Sequence, residues 1–255
     1  FIRSMGLGAA AVLAGAGQGR GAPGEKTNLV LILVDDMGWA DLGCYGSRYH
    51  ESPRIDQLAE EGMRFTDAYA ACPVCSPTRA SLLTGRYPAT VGVTDFIPGH
   101  WRPIAKLVVP EFHQQLPAEE WTIPDALRPA GYVSGCFGKW HLGRKGSQPK
   151  DHGFDEAGGA PNRNDKAVTG LTDRAIQFLR SHREEPFFLF LSHHTVHIPL
   201  QARGDLVRKY EAKKKPGQAF PEQANPVYAA MIEQLDENVA RLLTELDTLG
   251  LRERT

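Results

Sequence analysis

An uninterrupted aliphatic segment, residues 29–34, lies near the start of the chain between polar neighbours. It shows no alternation of polar and apolar residues, so it predicts a strand that is buried on both faces, as in a mainly parallel sheet. Two parallel strands are joined by a crossover connection, which is usually a helix. This segment therefore predicts a sheet whose faces are covered by helices.

The remainder of the chain alternates between helix and strand signals. Helices are predicted from Pro53, with Ser52 as the N-cap, to Gly62, between Thr122 and Gly131, and over residues 171–182 and 226–249. Strands are predicted over residues 63–68, 132–137 and 187–191. This order indicates an α/β domain with a mostly parallel central sheet that is flanked by helices on both faces.

The composition agrees with a globular domain. The 255 residues are 42% apolar and 23% charged, which excludes disorder, collagen and coiled coil. Because 29 basic side chains stand against 30 acidic ones, for a net charge of −1, there is no broad basic surface for nucleic acid or an anionic membrane. The four cysteines are too few for a disulfide framework. Three of them are expected to be small buried residues, namely Cys44, Cys72 and Cys136.

The first 24 residues differ from the rest and are expected to be an export signal outside the fold. Phe1-Ile2-Arg3 leads into a weakly hydrophobic run of Gly and Ala that is shorter than the ~20 residues needed to span a bilayer. The pattern resembles the end of a twin-arginine signal whose arginine pair precedes Phe1. It predicts a periplasmic or secreted protein without stable membrane insertion. The alternative is a flexible leader with no targeting role.

Two adjacent carboxylates, Asp35 and Asp36, follow the first predicted strand directly. Open α/β sheets bind ligands beyond the carboxyl ends of their strands. Adjacent carboxylates repel each other unless a cation joins them, and hard oxygen ligands suit Ca²⁺ or Mg²⁺ better than zinc. The pair therefore predicts a divalent cation site, with a capping or loop role as the alternative.

A second group of polar residues surrounds Cys75. Ser76, Pro77 and Gly85 are expected to cap, open and close a short helix. Cys75 then lies at a helix N-terminus, where unpaired amides favour a bound anion. Arg79, one turn inside that helix, supplies a cation that pairs well with an oxyanion.

Two interpretations follow from Cys75 and its neighbour Cys72 alone. In the first, the two cysteines form a redox or zinc pair, although no second ligand pair lies nearby at the spacing of a zinc finger. In the second, Cys75 is a reactive thiolate nucleophile.

Four segments together resemble the type I sulfatases. The longest, residues 75–86, runs from CSPTR to TGR and is similar to the family signature, with Thr78 where serine is commoner. The others are Asp35-Asp36, the GKWHLG segment at residues 138–143 and the HHTVHIP segment at residues 193–199. They occur in the family's order, so the resemblance covers residues 28–255.

The resemblance implies an alkaline-phosphatase-like fold and the hydrolysis of sulfate esters, with carbohydrates as the expected substrate class. In the family, the cysteine that matches Cys75 is converted to Cα-formylglycine by a maturing enzyme that recognises the Cys-x-Pro-x-Arg core. The hydrated aldehyde supplies the attacking hydroxyl, and Asp35, Asp36 and the modified Cys75 would hold Ca²⁺, with Mg²⁺ as the second choice. Arg79 would pair with the hydrate and with the metal-bound carboxylates.

Three further residues are assigned by the same resemblance. Lys139 and His197 would bind the sulfate group and protonate the leaving oxygen, and His141 would contact the hydrated side chain of the modified cysteine. Without the resemblance, Lys139 is expected to be a surface lysine and both histidines structural residues. His193 and His194 are assigned to packing or hydrogen bonding.

The sequence departs from the family pattern in two places. Sulfatases carry an Asp-Asn metal pair and another lysine on a strand that follows the long helix. The sequence reaches only Thr255, which lies before that strand. Residues 25–255 are therefore expected to be an incomplete N-terminal catalytic domain. The link between residues 155 and 171 is also short, and it contains further candidates for substrate contacts, namely Asn162, Asn164 and Asp165.

Alternatives to a sulfatase stay open from the sequence. A phosphatase or phosphonate hydrolase of the same superfamily would use a similar anion site. A redox or zinc module would depend on Cys72 and Cys75, and a non-catalytic binding protein or inactive fragment would have no turnover. The expected partners are a sulfated small molecule or glycan and the maturing enzyme, and not nucleic acid.

Overall fold

The described residues build a four-stranded sheet. The structure is a computed structural model, and it describes residues 26–100, 103–108, 110–159, 166–214 and 224–255. The strands are β1 (Leu29–Asp35), β2 (Val133–Gly138), β3 (Glu156–Gly158) and β4 (Phe187–Val196). They lie in the order β1-β4-β2-β3 and all pair in parallel, as the sequence predicts. Outside the described residues lie the export signal predicted for residues 1–24 and the candidates Asn162, Asn164 and Asp165.

Strand β4 forms the centre of the sheet. It pairs with β1 on one side and with β2 on the other, where Gly138 lies opposite Ser192. Residues 187–193 are all buried, because helices cover both faces of the sheet. The sequence predicts this strand only to residue 191. The strand continues to Val196, since backbone pairing with β1 does not require apolar side chains.

Seven helices surround the sheet in the described part of the chain. They are α1 (Pro53–Glu61), α2 (Cys75–Thr84), α3 (Pro88–Val91), α4 (Ile123–Leu127), α5 (Val168–Ser181), α6 (Gly204–Lys213) and α7 (Pro226–Thr248). Helices α5 and α7 pack on one face of the sheet and α2, α3 and α4 on the other, which confirms the prediction of helices on both faces. Within the described ranges, no helix is long and apolar enough to cross a lipid bilayer.

Two apolar clusters attach these helices to the sheet. In the first, Phe178 of α5 packs with Leu189 of β4. In the second, Leu83 of α2 packs with Phe190 of the same strand. Successive residues of a strand point to opposite faces, so neighbouring positions of β4 belong to different clusters. The sheet is therefore held between two helical layers, which fixes the ends of its strands.

One predicted element is absent from the structure. Residues 63–68 are predicted as a strand, and this prediction is wrong, because they form no regular secondary structure. Met63 and Phe65 are largely exposed, and no strand in the described part of the chain pairs with this segment. An apolar and aromatic segment forms a strand only when another strand satisfies its backbone. The Phe65 carbonyl accepts from the Tyr45 hydroxyl instead.

The first turn of α1 is held by a residue of another helix. Ser52 stands at the N-cap position, as predicted, but its hydroxyl donates to Asp56 and does not accept from the helix amides. The Asp236 carboxylate of α7 accepts from the backbone N–H groups of Arg54 and Ile55 at 2.8–3.2 Å. Burial raises the pKa of Asp236, and these N–H donors oppose that effect. The cap therefore joins α1 to α7.

Replacing Asp236 with alanine is expected to destabilise the fold, because the amides of Arg54 and Ile55 lose their acceptor. The free energy of unfolding should fall by roughly 0.5–2 kcal/mol, the usual cost of removing a helix cap, because these donors are only partly buried. Urea denaturation followed by circular dichroism measures this change. Glu237→Ala, one position further along the same helix at an exposed side chain, is the control and should have little effect. Equal losses in the two variants would contradict the capping role.

Candidate active site

The carboxyl ends of β1, β2 and β4 bring polar side chains of three segments together. Strand β1 ends at Asp35, β2 is followed by Lys139, and β4 is followed by His197. Because the strands are parallel and adjacent, these residues meet at one edge of the sheet. Lys139 Nζ donates to Asp35 Oδ2, and His197 Nε2 lies 3.7 Å from Asp36 Oδ2.

Helix α2 begins beside this edge of the sheet. Its first residue is Cys75, and Gly85 ends it with a φ of 69°, as predicted. The prediction that Ser76 caps the helix is wrong, because Val74 is the N-cap residue. The Ser76 hydroxyl donates to the His141 carbonyl at 2.7 Å instead. A cavity of about 270 Å³ lies here, and its lining includes Asp35, Asp36, Cys75 and Arg79.

Arg79 is buried in this site, with 2% of its surface exposed. Its Nη1 atom donates to the Lys139 carbonyl at 2.7 Å and to the Ser192 hydroxyl at 2.5 Å. Its Nη2 atom lies 3.6 Å from Asp35 Oδ2. Burial lowers the pKa of Arg79, and the Asp35 carboxylate opposes that effect. Nε and Nη2 form no hydrogen bond with any described residue, so the guanidinium keeps donors available for an anionic ligand.

Asp35 provides the negative charge that two cations share. Its exposed fraction is 6%, and its Oδ2 atom faces both Lys139 and Arg79. Two positive charges against one carboxylate leave this part of the site net positive. A buried charge is costly unless it is paired, so the cluster favours the binding of a further anion.

The position of His141 is fixed by contacts with Ile97 and Ser76. His141 Nε2 lies 2.6 Å from the Ile97 carbonyl, and because a carbonyl only accepts, Nε2 carries the proton. The Ser76 hydroxyl also accepts from the Ile97 amide at 3.1 Å. Burial lowers the pKa of His141, and the charges of Lys139 and Arg79 lower it further. His141 Nδ1 is buried and has no hydrogen-bond partner among the described residues, so it is an available proton acceptor.

Asp36 and His197 form the exposed rim of the site. Asp36 has a left-handed backbone with a φ of 65°, and 54% of its side chain is exposed. His197 Nδ1 lies 2.6 Å from the Ile198 carbonyl and therefore carries the proton, which leaves Nε2 facing Asp36. Both side chains are accessible to a ligand that enters from solvent.

The carboxylates of Asp35 and Asp36 fit a hard divalent cation in chemical type. Ca²⁺ takes about six to eight oxygen ligands in proteins, and Mg²⁺ is bound in an octahedral arrangement. In the ranges that the structure describes, no group of three or more His, Cys, Asp or Glu side chains is placed to hold a metal. Two carboxylates alone supply fewer oxygens than either ion takes, so a cation bound there would need further oxygen ligands.

Sequence reasoning missed one residue of this site. Ser192 accepts from Arg79 and donates to the Lys139 carbonyl at 2.7 Å, so it joins the ends of β2 and β4 to α2. Its only signal in the sequence is a hydroxyl directly after the apolar run of residues 187–191. Neither its burial nor its partners are visible without the sheet register, which places it opposite Gly138.

The other cysteines differ in burial. Cys136 is buried, as predicted, and burial raises the pKa of its thiol to about 12. Cys44 and Cys72 are only partly buried, so the prediction for these two is wrong. Cys72 lines the same cavity as Cys75, because the segment before α2 turns toward the end of β1. His193 is buried within β4, in agreement with its assignment to packing.

The site lies at the carboxyl ends of parallel strands in a sheet covered by helices on both faces, which is where open α/β proteins bind their ligands. The sequence profile of the family described as Sulfatase matches residues 27–255, and the chain belongs to this family. It is 33% identical over 270 residues to N-acetylgalactosamine-6-sulfatase of Canis lupus familiaris, covering 96% of this chain and 51% of the relative. It is 31% identical to arylsulfatase A of Homo sapiens, covering 92% of this chain and 51% of the relative.

Solved structures share the fold. Ps i-CgsB in complex with k-i-k-neocarrahexaose is 27% identical with a TM-score of 0.75, covering 91% of this chain and 57% of that one. The PsFucS1 sulfatase from Pseudoalteromonas sp. is 26% identical with a TM-score of 0.70, covering 91% of this chain and 54% of that one. The alkaline-phosphatase-like sulfatase fold is thus confirmed. The chain spans about half the length of the curated relatives it matches.

Replacing Arg79 with methionine is expected to destabilise the protein strongly, because Asp35 and Ser192 lose a buried partner. The expected loss of unfolding free energy is about 1–3 kcal/mol, the cost of leaving the buried partners of Arg79 without a donor, because Asp35 keeps Lys139 as its ion-pair partner. Chemical denaturation measures it. Arg180→Met is the matched control, since Arg180 pairs with Glu245 at 2.8 Å with 63% of its side chain exposed, and stability should change little. Similar effects of the two substitutions would contradict the role given to burial.

Proposed function

We propose that the protein containing this chain hydrolyses sulfate esters. The proposal is carried by the buried cluster of Arg79, Asp35 and Lys139 beside Cys75, in a chain of the sulfatase family. A sulfate ester is an anion, so its hydrolysis requires charge neutralisation, a nucleophile behind sulfur and help for the leaving oxygen. Each requirement has a candidate residue in this site.

Arg79 and Lys139 bind the sulfate group in this proposal. The Arg79 guanidinium and the Lys139 ammonium both face Asp35, which neutralises only one of the two cations, and Nε and Nη2 of Arg79 have no hydrogen-bond partner among the described residues. A bound sulfate completes the charge balance. The first amides of α2 add further donors, because the N-terminus of a ten-residue helix carries partial positive charge.

Residue 75 supplies the nucleophile after modification. A maturing enzyme transfers two electrons from Cys75 to an external oxidant, and the bond between Cβ and sulfur breaks with release of the sulfur, which leaves the aldehyde of Cα-formylglycine. The aldehyde adds water to form a geminal diol. One hydroxyl attacks sulfur while the bond between sulfur and the ester oxygen breaks, which releases the alcohol. The other hydroxyl then loses its proton, the carbon–oxygen bond to sulfate breaks, and the aldehyde returns as sulfate leaves. A serine has no second hydroxyl on that carbon and would stop after the first step.

Asp35 and Asp36 hold a divalent cation in this proposal, with Ca²⁺ preferred over Mg²⁺. When bound, such an ion lowers the pKa of an attacking hydroxyl and spreads the charge that develops on the sulfate oxygens. The chain places one carboxylate inside the protein and the other at the rim, at the end of the same strand. Lys139 and Arg79 orient the buried carboxylate from the protein side.

Two histidines transfer the protons. His141 Nδ1 is buried and lacks a partner among the described residues, so it accepts a proton from a hydroxyl of the modified residue 75. His197 lies at the rim beside Asp36 and, in its imidazolium form with a proton on Nε2 as well, protonates the leaving oxygen together with Lys139. General acid–base catalysis of this kind contributes roughly 10²–10⁴ in rate.

Sulfated carbohydrates are the proposed substrate class. One relative bears the name N-acetylgalactosamine-6-sulfatase, and one similar structure is a complex with a neocarrahexaose. Both support a glycan substrate for this chain.

The composition of residues 1–24 supports a periplasmic or secreted location, with the maturing enzyme as an earlier partner.

The substitution Cys75→Ala is expected to lower the turnover of para-nitrophenyl sulfate by roughly 10³-fold or more, because the nucleophile is removed and only binding is left. The assay uses the protein at its natural length, co-expressed with the maturing enzyme. Cys44→Ala removes a partly buried thiol outside the cavity and is the matched control, with activity equal to that of the unchanged protein. Turnover that survives in Cys75→Ala would reject the mechanism.

Two further measurements separate the parts of this proposal. Mass spectrometry of the peptide that contains residue 75 should detect an aldehyde in place of the thiol, and an unmodified thiol in protein from its native cell would exclude the nucleophile. Para-nitrophenyl phosphate has the same leaving group as the sulfate. Faster turnover of the phosphate ester would favour a phosphatase over a sulfatase.

A further inference from the structure

The turn that follows Asp36 is closed by Asp41. The Asp41 carboxylate accepts from the Gly38 amide at 2.8 Å, and the Asp41 amide donates to the Gly38 carbonyl at 3.2 Å. These bonds fix the backbone directly after Asp36, whose φ of 65° is uncommon for a residue with a side chain. The direction of the Asp36 carboxylate therefore depends on this turn.

Tyr228 joins this turn to the long helix α7. Its hydroxyl donates to Asp41 Oδ2 at 2.5 Å and lies 3.5 Å from the Asp36 carbonyl. Tyr228 belongs to the first turn of α7, where the Asn225 side chain caps the helix by accepting from the amides of Val227 and Tyr228 at 2.9 and 3.2 Å. The hydroxyl is thus presented from a capped helix that is packed into the core.

His50 supports Asp41 from a third segment. Its side chain is fully buried, and its Nδ1 atom lies 3.0 Å from the Asp41 carbonyl and 3.8 Å from Asp41 Oδ1. Because the carbonyl only accepts, Nδ1 carries the proton. The imidazole also packs against the Tyr228 ring, with 5.6 Å between the ring centroids. We refer to Asp41, His50 and Tyr228 as the Asp41 cluster.

The Asp41 cluster takes no direct part in the proposed chemistry. In the described part of the chain, none of its members lines the cavity that contains Cys75. The polar contacts of their side chains given above are with one another and with the turn after β1. Hydrogen bonds one layer behind a metal-binding carboxylate orient that carboxylate, and their loss typically lowers metal affinity by about 10–100-fold.

We propose that the Asp41 cluster positions Asp36 for cation binding, so that the turn after β1 and the start of α7 act as one unit. The inference rests on the proposed function, which assigns Asp36 to a divalent cation. The Asp36 side chain is 54% exposed and meets His197 only at 3.7 Å. Its orientation therefore comes from the backbone turn that Tyr228 and Asp41 hold in place.

The test compares Ca²⁺ binding by Tyr228→Phe, Asp41→Asn and the unchanged protein. Isothermal titration with CaCl₂ is carried out on metal-stripped protein at its natural length, and melting temperatures are recorded without metal. We expect each substitution to weaken Ca²⁺ binding by about tenfold or more, because the Asp36 carboxylate is no longer held in the binding direction.

Tyr49→Phe is the matched control. Tyr49 is fully buried, whereas Tyr228 is partly buried, and Tyr49→Phe likewise removes a hydroxyl hydrogen bond, the one donated to the Tyr210 carbonyl at 2.9 Å away from the site. Its melting temperature should fall about as much as that of Tyr228→Phe, while its Ca²⁺ affinity stays unchanged. Equal Ca²⁺ affinity of Tyr228→Phe and the unchanged protein, or an equal loss of affinity in Tyr49→Phe, would overturn the inference.

The same titration distinguishes this inference from the proposed function. If the unchanged protein takes up no Ca²⁺, the metal-dependent function fails and the positioning role fails with it. If the unchanged protein binds Ca²⁺ and Tyr228→Phe binds it equally well, only the positioning role is lost.

Discussion

The burial of Arg79 against the ends of the parallel strands is the constraint on which the rest of the site depends. A guanidinium at this depth is stable only when its charge and donors are matched. The Lys139 carbonyl, the Ser192 hydroxyl and the Asp35 carboxylate provide the match, and they come from the ends of three adjacent strands. Helix α2 therefore docks correctly only on a completed sheet, and the same docking brings Cys75 to the strand ends.

The positive charges of Arg79 and Lys139 are only partly balanced by Asp35. Asp35 faces two cations, and two donor atoms of Arg79 have no hydrogen-bond partner among the described residues. Such an arrangement lowers stability in a protein that binds nothing there, so it points to a functional site. His141 adds a buried ring nitrogen that is ready to accept a proton. In a chain of the sulfatase family, these features support the proposed binding and cleavage of a sulfate ester.

Signals that lie within one segment were predictable from the sequence, and contacts between distant segments were not. The aliphatic run at residues 29–34 and the amphipathic pattern of α7 specify their own elements, and the motifs locate Asp35 and Arg79 at the site. Residues 63–68 have strand propensity but no partner strand in the described part of the chain, so propensity alone predicts the wrong structure for them. Asp236 caps α1 through Arg54, which is 182 residues away in the chain, and Ser192 accepts from Arg79, which is 113 residues away. No local sequence pattern predicts such contacts.

The residues that make up the modification signature are enclosed once the chain has folded. Ser76, Pro77 and Arg79 are all buried, and the side chains of two of them bond to the segments around β2 and β4. The proposed maturing enzyme would therefore have to meet these side chains in an extended peptide, before α2 docks. Under the proposed modification of Cys75, molecules that fold first would keep their thiol, so the fraction of modified protein would be set by the relative rates of oxidation and folding during synthesis.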